Sequence, residues 1–318
     1  MQIGVLQIVL KILKRAGFAV TDLVETKPRC FDIVARKEDE AFLIKVLYNI
    51  DSFKLEMAQE MKKIAKLLNA VPLVVGEKFK LDFLERGVVY NRYGLPVINT
   101  ATFYDFIIDE ISPMVYSAPG GYYVKLDYEK IREVREELGL SLGEMAKYLG
   151  VSRRTVKKYE EGIDTSVENA LKLEELLGTY IIKAIDLKNF VKYEENLEEE
   201  KPEMEESEAE IVEQLRVLGI KVYPIKHAPF DLLTRPEECE ETILTGIKQV
   251  REIKKRVKVL GRVSEVLSTK AAYIVEKKVS EPSDMVVFLM KEDLECIFSA
   301  KDFITFINEK TESTEKNI

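Results

Sequence analysis

Between positions 128 and 178 the apolar residues recur three and four apart, in runs short enough to be separate helices. Over 128–140, Ile131, Val134 and Leu138 share one helical face. Ser141 stands where an N-cap is needed, ahead of Leu142, Met145, Ala146 and Leu149. Gly150 supplies the left-handed residue of a sharp turn, Val151 plugs the core, and Ser152 caps the next helix. There Val156 and Tyr159 face inward, while Arg153, Arg154, Lys157 and Lys158 face out. A last helix over 165–178 offers Val167, Ala170, Leu171, Leu173, Leu176 and Leu177 for packing. Outside this block the pattern changes. DIVAR (32–36) and AFLIKVL (41–47) read as strands joined by a polar hairpin, Lys37–Glu40. A helix from Ser52 to Leu68 follows, with Leu55, Ala58, Ile64, Ala65 and Leu68 as its apolar stripe. Strands alternating with helices predict an α/β core whose helices cover a sheet.

The flanks of the helical block repeat each other, one copy over 3–112 and the other over 208–310. Each copy opens with a helix running into a Gly and a strand, LKRAGFAV (13–20) and LRVLGIKV (215–222). Phe31-Asp32 and Phe230-Asp231 then open a strand 199 positions apart. The same offset brings VPLVV (71–75) to within one residue of AAYIV (271–275), and VINTATFYDFII (97–108) over CIFSAKDFITFI (296–307). Ungapped, it places Thr242 and Leu244 opposite positions 43 and 45.

Two short helices joined by a tight turn, the second basic on its open face, form a helix-turn-helix. R-E-x-x-G-L-S at 135–141, M-A-x-x-L-G-V-S at 145–152 and T-V-x-x-Y-E-x-G at 155–162 resemble the Cro and lambda-repressor type of that domain. From Lys147 to Tyr159 there are five basic residues and no acid. The family often has Gln just after the capping Ser, touching phosphate; here that position is Leu142. The resemblance implies double-stranded DNA as partner, with Ser152 to Lys158 entering the major groove. Arg153 and Arg154 are then placed for base edges, Lys157 and Lys158 for phosphate, and Thr155 for either. A small module of this kind implies a homodimer on a symmetric site.

The flanking copies resemble the restriction-endonuclease-like fold, and Holliday-junction resolvases in particular. That family places an Asp at the start of one strand and an acid-x-Lys triplet on the next, to hold divalent metal. Asp32 matches the first carboxylate and Lys45 the Lys. Leu43 stands where the second carboxylate belongs, and Leu cannot ligate magnesium. The copies therefore read as a degenerate nuclease remnant with no metal and no catalytic residue. An acid migrated onto the next helix, Glu56 or Glu60, would restore a metal-dependent nuclease.

Charge sharpens the organisation. The net charge is −8, yet residues 194–210 carry ten Glu against one Lys. Without them the chain has 47 basic and 46 acidic residues. This segment reads as a linker, or as a mimic of nucleic acid competing for the basic helix. No apolar run reaches the roughly 18–20 residues that span a bilayer, and the interrupted N-terminus is not a secretory signal. Cys30, Cys239 and Cys296 form no CxxC pair, as expected of reduced cytoplasmic thiols. A single His, His227, excludes His-dependent triads and reads as a surface or strand-end residue. Gly120-Gly121 marks a turn and lacks the Lys-Ser/Thr of a phosphate-binding loop. Tyr116, Tyr122 and Tyr123 beside it either stack on bases or pack at a junction.

The fold expected is α/β plus all-α. Two restriction-endonuclease-like domains (1–115 and 211–310) flank a four- to five-helix Cro-type domain (125–180), with an acidic linker at 194–210. The whole resembles archaeal helix-turn-helix transcriptional regulators, which implies a cytoplasmic, non-enzymatic regulator without a cofactor. The alternatives are a nuclease or junction-binding protein targeted by the helix-turn-helix, and an interaction protein whose helical domain binds protein.

Overall fold

A computed structural model of the 318-residue chain describes residues 2–22, 29–193, 204–237, 241–248, 253–276 and 285–315. Its first elements are α1 (Gln2–Arg15), β1 (Ala19–Asp22), β2 (Ile33–Lys37), β3 (Glu40–Asn49), α2 (Leu55–Leu67) and β4 (Val71–Phe79). There follow β5 (Asp82–Phe83), β6 (Val88–Arg92), β7 (Leu95–Ile98), α3 (Thr100–Ile108), β8 (Val115–Ala118) and β9 (Gly121–Leu126). The helical block holds α4 (Tyr128–Glu137), α5 (Leu142–Leu149), α6 (Arg153–Tyr159), β10 (Thr165–Ser166), α7 (Val167–Leu177) and β11 (Ile182–Lys183). The last part runs α8 (Glu206–Val217), β12 (Ile220–Pro224), β13 (Leu232–Pro236), β14 (Ile243–Gly246), α9 (Ile253–Leu267), β15 (Ala271–Val275), β16 (Val287–Met290) and α10 (Ala300–Glu315). Of the expected acidic linker, 194–203 lie outside the described residues, and Glu206–Glu210 open α8.

The chain divides into two compact units. The first comprises Met1–Ile12, Leu47–Ser52 and Val74–Lys192. In it β4 pairs with β7 in parallel, β7 with β6 antiparallel, β6 with β8 in parallel and β8 with β9 antiparallel. Gly120 and Gly121, both at positive φ, make the tight turn between β8 and β9. β9 also pairs with β10 and β11, so the helical block is tied to this strand at two points. Val124 and Leu126 of β9 enter the same core as Ile131, Met145, Leu149, Val156, Ala170 and Leu173. Leu138 and Leu171, expected to pack, are exposed. Leu138 is the C-cap of α4, where the helical face has already ended.

The second unit comprises Leu13–Val46, Phe53–Leu73 and Tyr193–Ile318. Here β1, β2 and β3 form antiparallel neighbours. The five-stranded sheet β12-β13-β14-β15-β16 begins with the same antiparallel pairs and continues in parallel. Its core gathers Ile211 and Leu215 of α8, Phe303 and Ile307 of α10, and inward residues such as Val222, Ile243 and Ile274. Ala58, Met61, Ile64, Ala65 and Leu67 form the buried stripe of α2, whereas Leu55, expected in it, is half exposed.

The sequence repeat has a structural counterpart within this unit. Arg36, at the end of β2, donates a hydrogen bond to the Leu267 carbonyl at the end of α9. Arg235, 199 residues later on β13, donates to the Leu67 carbonyl at the end of α2 at 3.1 Å. These two bonds exchange the ends of equivalent helices, so the copies pack on each other with approximate two-fold reciprocity. The strand register corrects the ungapped alignment. Val34 faces Leu43 on β3, and Leu233 faces Leu244 on β14. Positions 43 and 45 therefore correspond to Leu244 and Gly246, not Thr242 and Leu244. The connection before β14 is two residues longer than the hairpin before β3, which moves the offset from 199 to 201.

Candidate nucleic-acid interface

The helix-turn-helix begins at α5. Ser141 accepts the Glu144 amide at 3.2 Å, and the Glu144 carboxylate accepts the Ser141 amide at 2.8 Å, a reciprocal capping box. The Ser141 amide, and then its hydroxyl, hold the Glu144 carboxyl below the usual range. Gly150 ends α5 at φ 69°, and the Val151 amide returns to the Ala146 carbonyl at 3.0 Å. Ser152 then caps α6 through the Thr155 amide at 3.1 Å, and the two hydroxyls bond at 2.8 Å. Val156 and Tyr159 are buried as expected. The Tyr159 hydroxyl accepts from Thr165 at 3.0 Å, which fixes the end of α6 against β10.

A charged clamp that sequence reading missed sets the angle of α6. Arg135 of α4 donates through Nε to Glu160, whose side chain is only 8% exposed, and through Nη1 to the Leu140 carbonyl at 3.1 Å. The hydrogen bond to Glu160 raises the Arg135 pKa above its ordinary value, overcoming its partial desolvation. Nothing in local spacing marks this pair, because its members lie 25 residues apart.

With its inner face held, α6 presents Ser152, Arg153, Arg154, Lys157 and Lys158 to solvent, and Thr155 is half-buried. Lys157 lies 3.9 Å from Glu161 in an exposed pair, which is worth little. Arg153 and Arg154 occupy the first two helical positions, where the amide dipoles disfavour cations. The Arg153 guanidinium folds back over α5. A Cβ built on Gly143 would lie 2.9 Å from its Nε, so the glycine makes room for it.

The tyrosines near the Gly-Gly turn act as struts. Tyr116 and Tyr123 stack with ring centroids 5.9 Å apart, and the Tyr116 hydroxyl donates to Asp164 at 2.8 Å. Tyr122 donates to Glu85 at 2.7 Å. Burial and the Asp164 carboxylate both push the Tyr116 phenol upward.

In the second unit Asp32 and Lys45 do come together, as the resemblance implied. Lys45 Nζ donates to Asp32 Oδ1 at 3.3 Å, Arg29 donates to the same oxygen, and the Val46 amide donates to Oδ2 at 2.8 Å. Leu43 is fully buried on β3. Asp231 is held alike: the Ile247 amide donates to Oδ2 at 2.9 Å and Arg256 to Oδ1 at 2.6 Å. At the position of Lys45 the second copy has Gly246, and a Cβ there would meet the Tyr273 ring at 2.4 Å. Cations thus sit on both carboxylates, including Asp32, which the resemblance matched to a metal ligand. One carboxylate, two cations and a leucine do not fit a divalent ion. Among the described residues no group of three His, Cys, Asp or Glu side chains is gathered for one.

Glu56 is exposed, and Glu60 is engaged elsewhere. Its carboxylate accepts the Lys226 amide, the His227 amide at 2.8 Å, and is 2.7 Å from His227 Nδ1. His227, read from sequence as a surface or strand-end residue, lies just past the end of β12 and is a partly buried link between the copies, its carbonyl accepting the Cys30 amide at 2.7 Å. Burial, then the nearby Glu60 charge, push the Cys30 thiol well above its ordinary range. Cys296 is exposed, and Cys239 lies outside the described residues. Among the described residues no helix is long and apolar enough to cross a membrane.

Residues 2–113 match the PD-(D/E)XK superfamily domain and residues 131–182 the helix-turn-helix family. A protein of Archaeoglobus fulgidus named "Putative HTH-type transcriptional regulatory protein" is 61% identical over 311 residues, covering 98% of this chain and 99% of its own. A protein of the same name from Methanoculleus marisnigri is 36% identical over 304 residues, covering 95% of this chain and 98% of its own. A similarly named protein of Natronomonas pharaonis is also 36% identical over 304 residues, with coverages of 95% and 96%. No solved structure matches. Similarity of this degree extends past the helix-turn-helix through both flanks, and the chain belongs to this archaeal family of HTH-type transcriptional regulatory proteins.

Proposed function

We propose that the chain is a non-enzymatic regulator that reads a specific sequence in double-stranded DNA through α6. The observation that carries this reading is a helix locked on one side by Val156, Tyr159 and the Arg135–Glu160 clamp, with four cations left in solvent on the other. Arg153 and Arg154 address base edges, where an Arg bonds guanine through two hydrogen bonds. Lys157 and Lys158 hold phosphates and set register. The Ser152 hydroxyl is engaged as a cap, so its contribution is to orient the helix, with Thr155 able to reach either base or backbone. The division of labour follows the sequence: a nuclease-like part over 1–115, the reader over 125–180, an acidic connection over 194–210 and a second nuclease-like part over 211–310. A cytoplasmic homodimer on a roughly palindromic site is the expected working form.

The nuclease-like parts serve as scaffold in this reading. Leu43 and the cation-held Asp32 argue against cleavage. The test is selection of bound duplexes from a random pool at near-physiological salt, with magnesium and manganese present. An enriched motif on intact DNA is the expected result; cleaved or unenriched DNA would overturn it.

A further inference from the structure

The equivalent helices α2 and α9 of the second unit differ sharply in charge. α9 buries Val257, Leu260, Val263 and Leu267, packing on β14 and β15 of its own copy and on β1 and β2 of the other. Its one open edge carries Lys254, Lys255, Lys258 and Arg262, all exposed. No acidic residue lies between Ile253 and Ser264. Lys254, Lys258 and Arg262 are four residues apart, so neighbouring cations stand about 6 Å apart along the helix. Like charges at that spacing disfavour a helix. Among the described residues Lys258 and Arg262 form no ion pair that would offset this. α2 shows the ordinary arrangement: its Glu60 and Lys63 engage the other copy at His227 and at the Pro224 carbonyl, 3.3 Å from Lys63 Nζ. In a chain of net charge −8, an edge that carries four exposed cations before its one acid, Glu265, exposed one turn beyond Arg262, is a local choice.

We propose that the open edge of α9 is a second nucleic-acid contact, binding the phosphate backbone of duplex DNA without regard to sequence. Evenly spaced cations fit a polyanion of regular charge. No aromatic residue lies on α9 to stack on unpaired bases, which favours the duplex over a single strand. The proposal rests on DNA being the ligand of the chain, and it supplies affinity where α6 supplies choice.

The test uses the full chain with K254Q/K258Q/R262Q, the reversed K254E/K258E/R262E, and R153A/R154A. Each is titrated with a selected and an unrelated duplex across a range of salt. The α9 variants should lose affinity for both duplexes by the same factor, about tenfold or more. Their log–log salt slope should flatten by about 0.9 per lost phosphate contact. R153A/R154A should keep the binding that α9 provides to the unrelated duplex. Unchanged slope and affinity in both α9 variants, with wild-type melting curves, would overturn this inference and leave the reader standing. Failure of the wild type to bind either duplex would remove both.

Discussion

On α6, Arg153, Arg154, Lys157 and Lys158 stand in solvent around a buried seam, whereas beside Asp32 the side chains of Arg29 and Lys45 fold inward onto one carboxylate. The same residue types have opposite consequences. The inward cations are neutralised and hydrogen-bonded, and they hold a strand start in place. Among the described residues the outward ones have no buried counter-charge, only the exposed Lys157–Glu161 pair, and two of them oppose the helix dipole. A protein that keeps a locally unfavourable charge at its surface retains it for something outside itself. The cation-held carboxylates show the reverse: charges turned inward onto Asp32 and Asp231 serve the fold's own architecture.

Breaking the inward set should have the largest effect. Asp32→Ala would leave the buried Lys45 ammonium without the carboxylate it donates to, at a cost of about 3–5 kcal/mol. Denaturant unfolding should show that loss, and DNA cleavage should be absent from wild type and variant alike. A destabilisation under about 1 kcal/mol would mean that water, not Asp32, satisfies that ammonium. Breaking the outward set should spare stability instead. Arg153→Ala should relax base preference at one position by about 1–3 kcal/mol. Equal losses on every sequence would reassign Arg153 to phosphate. The smallest effect concerns the cap beneath the reader. The Glu144 carboxyl is held low in the folded state, so its contribution is full above the unfolded value, about 4.3, and fades as pH falls through the folded one. Melting temperatures of E144Q and wild type should therefore differ at pH 7 and converge as pH falls below the folded value; a gap that persists in strong acid would show that the carboxylate charge is not what the cap uses.

How much was legible follows from the range of each interaction. The helix-turn-helix was read from caps, periodicity and Gly150, all of which act within a few residues. Its attachment to β9 was not, because Val124 and Leu126 join the helical core from another element. Asp32 and Lys45 were recognised as a pair through the family pattern, and Leu43 as the break in it. Arg256 on Asp231, Glu60 on His227 and Arg135 on Glu160 were invisible, since their partners lie 25 to 167 residues away. The repeat was visible in a constant offset. The shifted register of β14 was not, because the longer connection carries no apolar pattern to count.

The most direct test of the account is Arg154→Glu, measured for affinity to a selected duplex and for melting temperature on the same preparation. Removing a cation from the start of α6 and adding an anion favours the dipole, by roughly 0.3–1 kcal/mol. The account predicts loss of specific binding with a melting temperature equal to or above that of the wild type. Unchanged binding, or a loss explained by unfolding, would contradict it.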